Sequence, residues 1–166
     1  MNRIFTEENG LYQIDCSKAV WATDELNYQY HAANCMLSDV DWVVETNKRL
    51  YLVEYKNANI SGAVNPGAFS PQSDKMIDKV VRKFYDSLHY LSLLDKNKPK
   101  EYVYILEYPH GDSVSRKMIR NRLKAKLPFA LQENIGKQKL IEKVEVLSIA
   151  EWNADPQYGE FPIQPV

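Results

Sequence analysis

Cysteine is nearly missing from this chain: only Cys16 and Cys35 occur, which excludes a disulfide framework and a four-cysteine zinc site. No apolar run approaches the roughly 20 residues that a membrane-spanning helix needs, so no membrane partner is expected. The opening MNRIFTEENG lacks the basic-then-apolar order of a secretory signal, and the expected location is the cytoplasm. Excess charge is absent too. The net charge is -1, which rules out a polycation that coats nucleic acid along its whole surface. There is no Walker A loop, no G-x-G-x-x-G and no G-x-S-x-G, so phosphate-loop, dinucleotide and nucleophile-elbow chemistry have no carrier. His31, His89 and His110 are scattered without metal-ligand spacing. Internal repeats and low-complexity blocks are also lacking.

What remains is ordinary globular composition: 166 residues, 45% apolar and 26% charged. That length favours one domain over 1–166, with a core at about 18–150 and an extended tail at 151–166 that holds Pro156, Pro162 and Pro165. Residues 18–36 read as a helix, with Asp15 or Ser17 as its cap. Residues 39–45 and 49–56 alternate with period two and are joined by a short turn at Asn47-Lys48, the pattern of an antiparallel hairpin. A Gly-, Pro- and Asn-rich loop follows. Met76, Ile77, Val80, Val81, Phe84, Leu88 and Leu91 then recur at helical spacing within 74–95. Residues 101–108 and 142–149 read as strands, and 114–127 as a basic helix ended by Pro128. The expected fold is α/β: a mixed sheet of about four strands flanked by helices.

Two acids and a lysine interrupt these apolar strands. Glu54 and Lys56 lie two apart, so they share a face with Leu50 and Leu52. Asp39, Asp41 and Val43 share a face of the preceding strand. An even turn pairs 46 with 49, hence 41 with 54 and 39 with 56, leaving facing Cβ atoms about 4.5–5.5 Å apart. Carboxylates that close repel unless one is protonated or a cation lies between them. Mg2+ suits the place: it binds through one or two carboxylates and keeps several waters. The Tyr55 backbone carbonyl supplies a third oxygen, and Lys56 is placed to orient water or stabilise charge on a phosphate. The Tyr55 ring is placed to meet a base. The plainer alternative is an Asp39–Lys56 ion pair on a solvated sheet face, but Leu50, Leu52 and Val43 argue that the face is covered.

The stretch SDVDWVVETNKRLYLVEYKN resembles the core of the PD-(D/E)xK nuclease superfamily, and the likeness covers residues 18–57. It implies the restriction-endonuclease-like fold, with Asp41 as the acid of the first hairpin strand and Glu54-Tyr55-Lys56 as the E-x-K. The leading helix of that family often carries a further acid, for which Glu25 is the candidate and Asp24 the competitor; Asp39 competes likewise with Asp41. The family's name-giving proline is replaced here by Val40 or Ser38. The implied activity is hydrolysis of phosphodiester bonds with Mg2+, or Mn2+ in its place. DNA is expected more than RNA, and a homodimer suits the cutting of both strands. Lys79, Arg82 and Lys83 on one helix, and Arg116, Arg120 and Lys124 at i, i+4 and i+8 on another, are the expected phosphate contacts. A catalytically silent binding or interaction module on the same fold is the alternative.

Overall fold

The computed structural model describes residues 3–166. The centre of the fold is the hairpin of β4 (Trp42–Glu45) and β5 (Leu50–Asn57). Thr46 closes its turn: its N–H donates to the Arg49 carbonyl at 2.9 Å, and its hydroxyl accepts from the Lys48 and Arg49 N–H groups. That closure fixes an even register, with Trp42 opposite Val53 and Glu45 opposite Leu50. Carried one step on, the register brings Asp41 opposite Glu54, as the sequence predicts.

From β5 the chain crosses through α2 (Asp74–Leu93) to β6 (Lys100–Glu107), then through α3 (Ser113–Lys126) and α4 (Phe129–Ile135) to β7 (Lys143–Leu147). Both crossovers give parallel pairs, the arrangement that a long connection makes accessible. On the other side of the hairpin, β3 (Trp21–Thr23) pairs antiparallel with β4. The sheet therefore has five strands in the order β3-β4-β5-β6-β7. A second sheet of three strands joins β1 (Ile4–Thr6), β2 (Tyr12–Asp15) and β8 (Ile163–Pro165).

The large sheet is covered on both faces, which is why β5 and β6 are apolar nearly throughout. Leu50, Leu52, Tyr102 and Tyr104 pack with Ile77, Val80, Phe84, Ile119 and Leu123 on the side of α2 and α3. Trp42, Tyr51, Val53, Tyr55 and Val103 pack on the opposite side with Ile14, Trp152, Tyr158 and Phe161. α2 is started by Ser73, whose hydroxyl accepts from the Met76 N–H at 3.3 Å.

Three expectations need correction. Residues 18–36 are not one helix: β3 occupies 21–23, and the helix α1 spans only Leu26–Ala32. The β-branched and aromatic residues of VWAT favour an edge strand, and the Val20 N–H donates to the Glu45 carbonyl at 2.8 Å. The main sheet has one strand more than expected, and a second sheet lies beside it. The segment 151–166 is no loose tail, because Ile149–Ala154 forms helix α5 and β8 pairs with β2. Trp152, Tyr158, Phe161 and Ile163 are all buried there. Ser148 and Glu151 cap α5 reciprocally, an S-x-x-E signal already present in the sequence.

Candidate functional site

Where β4 begins, the segment 38–41 is pinned to α2. The Ser38 N–H donates to Asp86 Oδ2 at 2.8 Å and the Val40 N–H to Ser87 Oγ at 3.1 Å. Tyr30 braces α1 against the same helix, its hydroxyl donating to the Asp86 carbonyl at 2.6 Å. The β4–β5 ladder stops here. In its place Asp41 Oδ2 accepts the Tyr55 N–H at 2.7 Å, a side chain closing off a backbone ladder. The N–H and C=O of a strand residue point to the same side. The Tyr55 carbonyl is therefore directed to the edge that β4 has vacated, where Val40 has given its N–H to Ser87.

Glu54 lies across from Asp41 on the face covered by α2, with only 7% of its surface exposed. Its Oε1 accepts from Lys83 Nζ at 2.7 Å. Its Oε2 is buried and accepts from no donor among the described residues, and the Glu54 and Asp41 carboxyls lie close enough to share a proton. A buried carboxylate oxygen without a donor is costly, and either a proton held between the two acids or a bound cation relieves that cost. Burial, then the charge of Asp41, pushes the Glu54 carboxyl well above its usual range. Asp41 is also raised, by burial first, against the opposing pull of Lys83 and the Tyr55 N–H. For Lys83, burial favours the neutral amine, but the charges of Glu54 and Asp41 prevail and its pKa stays raised. The centre is thus two carboxyl groups beside one ammonium, with burial and mutual repulsion favouring a proton on Glu54.

The other expected site residues divide into two groups. Lys56 is exposed, its ammonium 5.7 Å from the centre of the Phe69 ring, and it makes no ion pair with Asp39 among the described residues. With Asn57, Asn65 and Phe69 it lines a groove of about 510 Å³ beneath the long loop. Glu25 stands at the start of α1, exposed and making no side-chain cap. Its neighbour Asp24, the competing candidate, lines a cleft of about 280 Å³ together with Asp41, Asn27, Asp39 and Glu8. The misread helix accounts for this exchange, since a strand at 21–23 turns the following residues differently. The Tyr55 ring belongs to the opposite core, 5.3 Å from the Trp42 ring centre, and is not available to a base.

The expected phosphate contacts separate as well. Lys79, Arg82 and Lys124 are exposed. Lys83 turns inward to Glu54, Arg116 is buried against Glu151 at 2.9 Å, and Arg120 lies 3.7 Å from Glu145. The inward turn of Lys83 has a signal in the sequence. It is three residues after Val80 and four before Ser87, at the margin of the apolar stripe rather than opposite it.

Oxygen donors of this kind, one of them orphaned, fit a hard divalent cation. No group of three or more His, Cys, Asp or Glu side chains suited to a metal occurs among the described residues. Asp41, Glu54 and the Tyr55 carbonyl are the oxygens gathered at this end of the hairpin, a small set compatible with an ion that retains several waters, such as Mg2+. No helix among the described residues is long and apolar enough to cross a membrane. Comparison of the chain with family models, with curated proteins and with solved structures finds no match.

Proposed function

We propose that this chain is a magnesium-dependent nuclease with a restriction-endonuclease-like core, hydrolysing phosphodiester bonds in DNA. The observation that carries the reading is the juxtaposition of two buried acids, Asp41 and Glu54, at the open end of the hairpin, with no donor to Glu54 Oε2 among the described residues. The antiparallel hairpin followed by a helical crossover to a parallel strand agrees with the resemblance that the E-x-K stretch carries.

In this reading Asp41, Glu54 and the Tyr55 carbonyl hold the cation, with Asp24 and Asp39 supplying negative potential from the adjoining cleft. When bound, the cation supplies Lewis-acid polarisation of a phosphate oxygen. Lys56, two residues beyond Glu54 on β5, lines the separate groove beneath the long loop, and in this reading it meets the scissile phosphate from there and orients a water. Lys79 and Arg82 extend the positive surface along α2.

The test is incubation of the purified protein with single- and double-stranded DNA and RNA, with Mg2+, Mn2+ or chelator. Metal-dependent cleavage is expected, and Glu54→Gln should lower its rate by roughly 10²–10³, the usual loss when a transition-state stabiliser is removed. Equal rates for the two proteins would refute the reading. A second reading, a binding module without chemistry, is favoured by one observation: Lys83 already gives Glu54 a cation of its own. No cleavage of any of these substrates with either metal decides for it.

A further inference from the structure

Lys83, expected to contact phosphate, is held instead inside this centre. It lies outside the E-x-K stretch, on α2, and reaches Glu54 Oε1 from the covered side of the sheet. Its side chain is only 18% exposed. A lysine that buried is held by what it touches, since solvent offers it little. The carboxylates face the same constraint. Were Asp41 and Glu54 both ionised beside a charged Lys83, the cluster would carry one negative charge too many, and no donor among the described residues reaches Glu54 Oε2 to offset it.

We propose that Lys83 is a built-in counter-ion that sets how tightly the Asp41–Glu54 pair takes up a divalent cation. Its hydrogen bond fixes Glu54 so that Oε1 faces α2 and Oε2 remains for the ion. Its positive charge repels that ion at the same time. In such a site the lysine keeps the metal-free protein folded by preventing two bare carboxylates from facing each other. It thereby limits the affinity for the metal that replaces it electrostatically. This rests on the metal site proposed above and concerns its regulation.

The experiment is calorimetric titration of Mn2+ into wild type, Lys83→Gln and Lys83→Arg. Glutamine retains a donor for Glu54 Oε1 and lacks the charge. Lys83→Gln should bind Mn2+ at least about tenfold tighter than wild type, a change of about 1.4 kcal/mol. Lys83→Arg keeps the charge and should bind no tighter than wild type, and it provides a result if the glutamine variant does not fold. A wild type that binds no Mn2+ beside a Lys83→Gln protein that does would support the proposal in its strongest form. Equal or weaker binding by Lys83→Gln, or tighter binding by Lys83→Arg, overturns the proposal and leaves the metal site standing. Absence of Mn2+ binding in all three proteins overturns the metal site and the counter-ion together.

Discussion

The two ends of the β4–β5 hairpin bury acids in opposite ways. At the turn end Glu45 receives Lys96 at 2.6 Å and Lys98 at 2.8 Å, one on each oxygen. Nearby, Glu101 pairs with Arg49 and accepts the Tyr158 hydroxyl at 2.6 Å. Every carboxylate oxygen there has a partner. At the open end two acids share one lysine, and Glu54 Oε2 has no donor among the described residues beyond a proton shared with Asp41. Burial of a carboxylate is thus common to both ends and distinguishes neither. Under-compensation distinguishes them: the open end brings more carboxyl groups together than it has ammonium groups to meet them.

Removing one lysine from each end should widen this difference most. Lys83→Met deprives Glu54 of the one ammonium that reaches it among the described residues and, in chelator, should destabilise the fold by roughly 3–5 kcal/mol, the range for breaking a buried pair from one side. Lys96→Met leaves Lys98 on Glu45 and should cost about 1 kcal/mol or less. Urea unfolding at neutral pH measures both. Similar losses at the two ends would mean that Glu54 is solvated after all and that its orphaned oxygen carries no significance.

Acid titration sharpens the contrast, because the ends respond to pH with opposite sign. Burial and the Asp41 charge raise Glu54 well above its ordinary value of 4.5. An acid raised in the fold binds its proton more tightly there than in the unfolded chain. Its contribution to stability therefore falls as pH rises from 4.5 toward the raised value. Burial pushes Glu45 the same way, but Lys96 and Lys98 more than offset it and leave that acid lowered from 4.5. Its stabilisation is present above 4.5 and is lost as pH falls through the lowered value. Stability measured in chelator should show wild type losing ground to Glu54→Gln as pH climbs from 4.5. Against Glu45→Gln, wild type should hold an advantage that vanishes in acid. A flat difference curve for Glu54 would contradict its burial.

The same contrast explains what could be read from the residues alone. The hairpin, its register and the Asp41–Glu54 pair are local: period-two alternation and a short turn specify them within sixteen residues, 41 to 56. Helix α2 was legible from its apolar stripe. What escaped depends on distant partners. VWAT becomes a strand because an edge of β4 is open to it, and IQP becomes one because β2 lies beside it. No periodicity within three residues can announce that. Lys83 escaped for a related reason, since its partner is 29 positions away and its place at the stripe's margin is compatible with solvent or core. The exchange of Glu25 for Asp24 followed from one misassigned element.

The smallest expected effect concerns the cations that the fold leaves outside. Arg116 and Arg120 lie against Glu151 and Glu145, so their charge is largely spent within the protein. Lys79 and Arg82 are exposed and make no ion pair among the described residues. Lys124 is exposed as well, its ammonium 5.4 Å from the Phe129 ring centre. If DNA runs across α2 past the carboxylates, each phosphate contact removed by Lys79→Ala or Arg82→Ala should lower the salt slope of binding by roughly 0.7–0.9, with a modest uniform loss of affinity. Arg120→Ala should leave the slope unchanged, because its guanidinium already answers to Glu145. Fluorescence anisotropy at several salt concentrations reads both quantities. A slope that responds to Arg120 and ignores Lys79 and Arg82 would move the nucleic-acid track to α3, away from the open end of the hairpin. The carboxylates would then lack a phosphate to act upon, and the contrast between the two ends of the hairpin would be one of stability alone.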